Sequence, residues 1–243
     1  MSAVRIGMLT PSSNTVLEPI TQDIIAPLDN VSAHFSRLKV TEISLNSHGL
    51  AQFELDPFMH AAGLLADARM HAITWNGTSA AWRGFHEDEA LADAIRDAYG
   101  VPATASMLAL NTIMATHGFT RFGLVTPYSD DVQARIQDNY RARGFDITAE
   151  RHSGISINYE FAEIEAEPIR EMVRAVATSR PECIIIICTN LRAATLVREM
   201  EADTGIPIYD STSAVVWHTL KLVGVDPARC GAHWGSLFEA SPA

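Results

Sequence analysis

The chain has 243 residues, of which 47% are hydrophobic and 19% charged, a composition that excludes disordered and fibrous proteins. Its net charge is −11, and only Lys39 and Lys221 are lysines, so no basic run could bind nucleic acid or an anionic membrane surface. Three cysteines are too few for a disulfide framework. With no signal-peptide pattern at the N-terminus, and with its most apolar window, residues 184–187, too short to cross a bilayer, the sequence predicts a cytoplasmic protein.

Short β-branched runs alternate along the chain with longer segments of helical period. Strands are predicted at residues 4–10, 36–40, 72–75, 102–105, 121–126, 146–150, 183–188 and 207–209. Helices are predicted between them, for example at residues 59–68, 87–98, 131–143, 167–179 and 193–204. This alternation is typical of βαβ units, so we expect an α/β fold with mainly parallel sheets covered by helices.

The two halves of the chain resemble each other weakly. The sequence after the first predicted strand, residues 10–14, reads TPSSN, and the sequence after the fifth, residues 126–130, reads TPYSD. A second pair of polar strand ends, residues 76–79 and 188–190, lies at a similar offset. A tandem pair of like α/β lobes is one explanation of this echo. Because parallel sheets bind ligands at the carboxyl ends of their strands, all four polar turns would then face one cleft.

Cys188 ends the seventh predicted strand, and we expect its sulfur to face the cleft. The helix predicted after it would be capped by Thr189 or Asn190, whose neighbouring N–H groups favour a thiolate and bring the thiol pKa closer to neutrality. The alternative is a small buried hydrophobe, which is our interpretation of Cys183 and Cys230. Since strand alternation places residues 183 and 188 on opposite faces, they form neither a disulfide nor a metal clip.

The turn at residues 76–79 brings two hydroxyls, an amide and backbone N–H groups together. Gly77 lets a ligand approach the backbone closely, while Asn76, Thr78 and Ser79 offer polar groups that could hold a carboxylate and stabilise an enediolate. The alternative is an ordinary capped turn. Tyr128, after the fifth strand, could add a phenolic donor, or it could be a half-buried amphipathic side chain.

Ser12, Ser13 and Asn14 form a neutral hydrogen-bonding group after the first strand. They either bind substrate or cap the helix that follows. The nine histidines show no metal-binding spacing, and the sequence contains neither GxGxxG nor a P-loop. We therefore expect no metal site and neither a dinucleotide nor a P-loop nucleotide site.

Together these motifs resemble the aspartate/glutamate racemase superfamily, and within it the branch of arylmalonate decarboxylase and maleate cis-trans isomerase. The likeness runs from the first strand to residues 237–239, and it rests on Pro11-Ser12-Ser13-Asn14-Thr15, Gly77-Thr78-Ser79 with Arg83-Gly84, Thr126-Pro127-Tyr128 with Asp130-Asp131, and Cys188. It implies two pseudo-symmetric lobes, each a four-stranded mainly parallel sheet flanked by helices, with the active site in the cleft between them. The lobes would comprise residues 1–112 plus 213–243, and residues 113–212.

The resemblance also implies chemistry at the carbon next to a carboxylate, without metal or organic cofactor. Racemases and isomerases of the superfamily use one cysteine from each lobe, but the position that matches the first-lobe cysteine is here Gly77, or Asn76. The decarboxylase branch has Gly-Thr-Ser there and a single cysteine in the second lobe. Carried over, Cys188 would deliver the proton, and the carboxylate and its enediolate would be held by Thr78, Ser79, Tyr128 and the N–H groups around Cys188 and Thr189.

Three functions stay open on this basis. The first is a decarboxylase acting on a small dicarboxylic acid. The second is an isomerase or racemase acting on a polar dicarboxylate or an amino acid derivative, such as one from ectoine breakdown, because residues 11–15 resemble the maleate isomerase loop whose asparagine contacts a substrate carboxylate. The third is a carboxylate-binding protein without catalysis. The partner expected in each case is a small-molecule carboxylate, and a homo-oligomer is left open.

Overall fold

A computed structural model describes residues 3–239 of the chain. The strands of this range are β1 (Val4–Pro11), β2 (Val31–Leu38), β3 (Ala72–Trp75), β4 (Ala103–Ala105), β5 (Arg121–Thr126), β6 (Asp146–His152), β7 (Cys183–Ile186) and β8 (Ile208–Asp210). The α-helices are α1 (Leu17–Ile25), α2 (Ser47–Ala51), α3 (Leu55–Asp67), α4 (Ala80–Arg83), α5 (His86–Tyr99), α6 (Ser106–His117), α7 (Asp130–Ala142), α8 (Ala166–Ala177), α9 (Val197–Thr204) and α10 (Ser211–Leu222).

The strands form two parallel sheets of four. The first has the order β2-β1-β3-β4 and the second has the order β6-β5-β7-β8, so the same arrangement occurs twice along the chain. The central strands β3 and β7 are buried along their whole length, which is typical of parallel sheets covered on both faces. The predicted fold, two pseudo-symmetric four-stranded α/β lobes, is confirmed.

Helices α6 and α10 join the lobes. Helix α10 lies against the first sheet, where Thr219 hydrogen bonds with Thr74 across 2.9 Å and His218 with Thr104 across 2.9 Å. In α6, the Met114 sulfur lies 3.4 Å from the Cys183 thiol of β7 in the second sheet. Each lobe therefore sends the helix after its fourth strand to the other sheet. The predicted lobe boundaries, residues 1–112 plus 213–243 and 113–212, stay a prediction.

Two predicted elements differ from the structure in ways that matter for the site. Strand β2 begins at Val31, five residues before the predicted start, because this half-exposed edge strand alternates polar and apolar residues and lacks a continuous apolar run. The predicted helix at residues 193–204 is a 3₁₀ turn, Ala194–Leu196, that leads into α9. Thr189 and Asn190 therefore lie in a loop, and the prediction that one of them caps a helix is wrong.

No α-helix in the part of the chain that the structure describes is long and apolar enough to span a bilayer.

Candidate active site

The candidate site lies where the carboxyl ends of the four inner strands face each other. In each sheet the strand order reverses between the first and third strands, β1 and β3 or β5 and β7, and such a switch point leaves a crevice outside the strand ends. The loops after these strands carry all the polar turns singled out in the sequence. The predicted cleft between two pseudo-symmetric strand ends is present.

A small cavity fills this crevice, and we call it the inner cavity. Its volume of about 20 Å³ leaves room for roughly one water molecule. Its polar lining consists of Gly77, Thr78, Ser79, Tyr128, Asn158, Cys188 and Thr189. Its apolar lining consists of Pro11, Val40, Ile43, Phe53, Trp75 and Trp82. Six of the predicted site residues thus meet around one small space.

Thr78 and Tyr128 meet across the cleft from opposite lobes. Their hydroxyl oxygens are 2.6 Å apart, and both side chains are buried. Burial raises the pKa of Tyr128 well above its ordinary value, and the neighbouring Cys188 raises it further. The tyrosine ring packs edge-on against Trp82 with 5.2 Å between ring centroids. Tyr128 is therefore a protonated hydrogen-bond donor held in one orientation.

Cys188 is only 3% exposed, and its own N–H donates to Ser211 Oγ across 3.1 Å. Burial raises the pKa of the thiol to about 12, although the backbone N–H groups of Asn190 and Leu191 and the Tyr128 hydroxyl each lower it. The prediction that the thiol pKa moves closer to neutrality is wrong, because no helix begins beside the thiol and the surrounding protein excludes water. At neutral pH Cys188 holds its proton.

Gly77 has no room for a side chain. A Cβ atom built on it would overlap the indole ring of Trp75. The preceding Asn76 is fully buried, and its amide donates to the Leu9 carbonyl across 3.1 Å and to the Thr74 carbonyl across 3.0 Å. The backbone at both candidate positions for a first-lobe cysteine is thus held in place, and Trp75 occupies the space that a side chain on Gly77 would need.

Asn14 lies behind the inner cavity, with its amide engaged by the protein. Its Oδ1 accepts from the N–H groups of Val16 and Leu17, each at 2.9 Å, at the start of α1. Its Nδ2 donates to Thr189 Oγ1 across 3.2 Å, and that hydroxyl donates to the Asn76 carbonyl across 2.9 Å. Asn14 therefore joins the first helix to the second-lobe loop that carries Cys188.

The remaining polar residues predicted for the site form the same supporting layer. Ser13 Oγ donates to the Val40 carbonyl across 2.7 Å, and Ser12 Oγ accepts from the Val40 N–H across 3.2 Å. Asn190 accepts from the Thr15 N–H at 3.0 Å and donates to the Asn158 carbonyl at 2.6 Å. Binding of substrate by Ser12, Ser13, Asn14, Asn76 or Asn190 stays a prediction.

Sequence reasoning missed half of the lining. Trp75 and Trp82 lie near the recognised turn, but an indole at a helix or strand end carries no signal for a site. Val40 and Ile43 lie in the loop after β2, whereas Asn158 begins the 3₁₀ helix Asn158–Glu163. The main chain joins the two segments through a hydrogen bond from the Ile43 N–H to the Ser156 carbonyl at 2.8 Å. Only the folded chain brings these residues together.

The described residues, 3–239, contain no group of three or more His, Cys, Asp or Glu side chains placed to hold a metal ion. The chemistry available at the site consists of hydroxyl and backbone N–H donors, a protonated thiol and an apolar wall. Such donors can hold a carboxylate and stabilise the extra charge of an enediolate.

Comparison with known proteins places this geometry in a family. A family model described as arylmalonate decarboxylase matches residues 7–238. The chain is 21% identical over 239 residues to maleate isomerase from Alcaligenes faecalis, with 93% of each chain covered. It is 27% identical over 172 residues to arylmalonate decarboxylase from Bordetella bronchiseptica, with 70% of this chain and 71% of the relative covered.

A solved structure shares the fold. It is a Cys-to-Ser variant of Nocardia farcinica maleate cis-trans isomerase with a covalently bound succinylcysteine intermediate, which superimposes with a TM-score of 0.84 at 22% identity, covering 93% of this chain and 94% of that one. The relatives are a decarboxylase and isomerases, so the prediction of an enzyme of one of these two types is confirmed. Because the family model spans every residue that lines the inner cavity, the chain belongs to the arylmalonate decarboxylase family.

Proposed function

We propose that the protein is a cofactor-independent decarboxylase that removes one carboxyl group from a small dicarboxylic acid of the malonate type. The observation that carries this proposal is the pairing of one protonated thiol, Cys188, with a first-lobe position, Gly77, that Trp75 closes to any side chain. Loss of carbon dioxide needs one acid and a stabilised enediolate but no base. This set of groups therefore suits decarboxylation.

The first step breaks a carbon–carbon bond. Binding requires the inner cavity to widen beyond its present volume of about 20 Å³. One carboxylate is then held by the Thr78, Ser79 and Tyr128 hydroxyls and by N–H groups of the Cys188 loop, while the other lies against an apolar wall. As that second carboxylate leaves as neutral carbon dioxide, the bonding electron pair moves onto the retained carboxylate and forms an enediolate. An apolar wall favours this step because it solvates an ionised carboxylate poorly. Pro11, Val40 and Ile43 supply that wall, since the polar atoms of residues 12–14 turn away to bind the protein.

The second step protonates the α carbon. The Cys188 thiol gives its proton to the enediolate, which yields a monocarboxylate, and the resulting thiolate regains a proton from water. A thiol with a pKa of about 12 has roughly one molecule in 10⁵ ionised at pH 7, so it serves as an acid rather than as a resting-state base. Because the thiol stands on one side of the cleft only, one face of the α carbon is protonated.

A maleate-isomerase-like activity is the second candidate. It is favoured by the maleate isomerase relative, which matches over nearly its whole length, and by Asn14, which is one hydrogen bond from Thr189 at the inner cavity. This activity would require the Asn14 amide to leave its contacts with α1 and to turn towards the substrate. A racemase would additionally need a first-lobe base, and the Gly77 position holds none.

The test is release of carbon dioxide from a panel of 2-substituted malonates. We expect Cys188→Ala to lower kcat at least about 100-fold, the contribution typical of a general acid. Cys183→Ala is the matched control, because Cys183 is also a buried thiol but lies on β7 outside the inner cavity. In deuterium oxide the wild-type product should carry one deuteron with a single configuration.

Three results would contradict the proposal. Undiminished turnover by Cys188→Ala would remove the thiol from the mechanism. Conversion of maleate to fumarate, or deuterium exchange at an α carbon without loss of carbon dioxide, would support the isomerase or racemase alternative. Thermal stabilisation by dicarboxylates with no turnover would support a binding protein.

A further inference from the structure

A buried chain of hydrogen bonds runs through the second lobe and ends at the main chain of Tyr128. Its central member is Gln133 of α7, which is 1% exposed and lies on the same buried helix face as Val132 and Ile136. Gln133 does not line the inner cavity, so the two catalytic steps do not use it. Burial of an amide costs free energy unless its oxygen and its nitrogen are both paired. An apolar side chain at this position would avoid that cost, so the partners of the amide point to its role.

The charged end of this chain fixes the direction in which the Gln133 amide faces. Gln133 Nε2 donates to Glu150 Oε2 across 2.8 Å, and His152 Nδ1 contacts the same oxygen at 2.9 Å. The other ring nitrogen of His152 lies 2.8 Å from Asp130 Oδ1. Although burial lowers the pKa of His152, its hydrogen bonds to Asp130 and Glu150 outweigh this effect and raise that pKa above its ordinary value. Because a carboxylate accepts hydrogen bonds and cannot donate them, the nitrogen of the amide faces Glu150 and its oxygen faces inwards.

The buried end of the chain fixes the direction of a hydroxyl. Gln133 Oε1 accepts from Thr126 Oγ1 across 2.7 Å. A threonine hydroxyl has one proton, and since that proton goes to Gln133, the lone pairs of Oγ1 are left to accept other donors. One of them accepts the Tyr128 N–H across 3.3 Å. Thr126 and Tyr128 are both buried, so solvent water offers no alternative partner. Thr126 therefore links the Gln133 amide to the main chain of Tyr128.

The main chain of Tyr128 is held on two sides. Its carbonyl accepts from the Gly154 N–H across 3.1 Å, and its N–H donates to the Thr126 hydroxyl. From this turn the phenol reaches across the cleft to within 2.6 Å of the Thr78 hydroxyl. A long side chain that starts from a displaced main chain carries its hydroxyl away from the carboxylate, and misplacement of a donor by about 1 Å is enough to slow a reaction.

We propose that Gln133 is a positioning residue for Tyr128, and that it acts by orienting the Thr126 hydroxyl that holds the Tyr128 main chain. The Glu150 carboxylate, which is paired with His152, orients Gln133 in turn. The inference rests on the proposed function only in that the Tyr128 hydroxyl holds the retained carboxylate. Gln133 does not touch the substrate, so its effect on turnover passes through the Tyr128 hydroxyl.

A double-mutant cycle tests this dependence. Gln133→Met keeps the length of the side chain and removes both hydrogen bonds. We expect it to lower kcat/KM for the best malonate about tenfold, the effect of one buried hydrogen bond. In a Tyr128→Phe background, which lacks the hydroxyl, the same substitution should lower kcat/KM less than about twofold. An equal loss in the two backgrounds would overturn the inference.

Rescue by a conservative variant tests the role of Glu150. Glu150→Met removes the acceptor and should lower kcat/KM about as much as Gln133→Met. Glu150→Gln should retain most of the wild-type value, because its amide oxygen can take the place of Oε2 and accept from Gln133 and His152. Equal losses in Glu150→Gln and Glu150→Met would count against the proposed orientation of Gln133 and overturn the inference.

Thr148→Val is the matched control. Thr148 also lies on β6 and is half-buried, and its hydroxyl lies 2.8 Å from that of Ser179 in a pair that does not reach Tyr128. This substitution should lower the melting temperature and leave kcat/KM within about twofold of wild type. If Gln133→Met behaves in the same way, with a loss of stability only, its role is structural and the inference fails.

Amide hydrogen exchange of the free protein, followed by NMR, separates this inference from the proposed function. If no malonate loses carbon dioxide, the proposed function fails, and the exchange rates still test the role of Gln133. We expect the Tyr128 N–H to exchange at least about tenfold faster in Gln133→Met. The Ile187 N–H, which donates to the Val125 carbonyl across 3.0 Å, should be accelerated less. An unchanged Tyr128 rate, or equal acceleration of both amides, would overturn the inference, and Glu150→Met gives the same comparison where Gln133→Met does not fold.

Discussion

At the scale of single residues, the second lobe supplies one acid, the Cys188 thiol, whereas the first lobe supplies no acid or base at Gly77. The thiol lies in a buried loop whose N–H groups and Tyr128 hydroxyl surround it, yet desolvation outweighs them and raises its pKa to about 12. On the opposite wall Trp75 excludes a side chain from Gly77. The site therefore has one acid and one set of hydrogen-bond donors. These groups are sufficient to protonate an enediolate, but a racemase needs a second group that can accept or donate a proton on the opposite face.

The raised pKa of Cys188 predicts the pH dependence of the reaction. The thiol must be protonated to act, so its contribution to kcat/KM stays constant through neutral pH and is lost only as the pH rises towards about 12. A mechanism that uses a resting thiolate would instead gain about tenfold per pH unit below that pKa. We expect a pH profile with no such rise between about pH 6 and about pH 10, measured as kcat/KM for the best malonate. A tenfold rise per unit would contradict the assignment of Cys188 as an acid.

At the scale of elements, the start of α10 carries a buried carboxyl close to the Cys188 thiol. Asp210 ends β8 and accepts from the N–H groups of Thr212 and Ser213 at 2.9 and 3.0 Å. Burial raises the pKa of its carboxyl to about 7, although both N–H groups lower it. The neighbouring Ser211 accepts the Cys188 N–H. The start of α10 thus positions the loop that carries Cys188, and burial of the ionised Asp210 carboxyl there lowers the stability of the fold.

The raised pKa of the Asp210 carboxyl, which caps α10, predicts how the free energy of unfolding depends on pH. Because the pKa of Asp210 is raised in the folded state from 3.8 to about 7, the native chain binds the proton more tightly than the unfolded chain. Its contribution to stability is complete below about pH 4 and is lost as the pH rises through about 7, at no more than about 1.4 kcal/mol per pH unit. Asp210→Asn keeps the acceptor and removes the titration. We expect its free energy of unfolding, relative to wild type, to increase between about pH 5 and about pH 7.5.

Urea unfolding at the two pH values measures this difference. Asp226→Asn is the control, because Asp226 also accepts a backbone N–H, that of Ala228 at 3.0 Å, at the start of a 3₁₀ helix but is exposed. A relative stability of Asp210→Asn that does not change with pH, or that changes no more than that of the control, would show that the Asp210 carboxyl is ionised in both states.

At the scale of the whole molecule, the two lobes are held in register by asparagine side chains at the cleft. Asn190 is 1% exposed and joins the second-lobe loop to the Thr15 N–H of the first lobe and to the Asn158 carbonyl. Asn14 makes the reciprocal contact from the first lobe through Thr189. Because both loops also carry lining residues, the distance between the Thr78 donors and Cys188 depends on these links.

Removing one link should therefore lower stability and activity together. Asn190→Ala removes the acceptor of the partly buried Thr15 N–H and leaves the buried Asn158 carbonyl unpaired, the latter at about 1–3 kcal/mol. Thermal unfolding and malonate turnover measure the two effects. The control is Asn46→Ala, because Asn46 caps α2 by accepting the Gly49 N–H at 2.8 Å but is exposed; such a cap is worth about 1 kcal/mol. A cost for Asn190→Ala no larger than the control's would contradict a role in joining the lobes.

The periodicity of the sequence was enough to predict most of the fold. Strands β3 and β5 match their predicted residues, since a short apolar run between polar turns fits a buried parallel strand and little else. The repeated turn sequences at residues 10–14 and 126–130 indicated two like lobes as one explanation, and the strand order of the two sheets is indeed the same. Edge strand β2 was predicted too short, because its half-exposed residues resemble those of a loop.

The sequence by itself determined the α/β class and placed Thr78, Ser79, Tyr128 and Cys188 at strand ends, and the resemblance of its motifs to a known superfamily implied the two like lobes. These are local properties, because strand ends and turn residues are set by neighbours along the chain. Tertiary structure alone decided the protonation of the thiol and the closure of Gly77 by Trp75. Residues distant in sequence are responsible for both, because burial by the folded chain raises the thiol pKa, and Phe58 packs edge-on against the Trp75 ring with 4.7 Å between ring centroids.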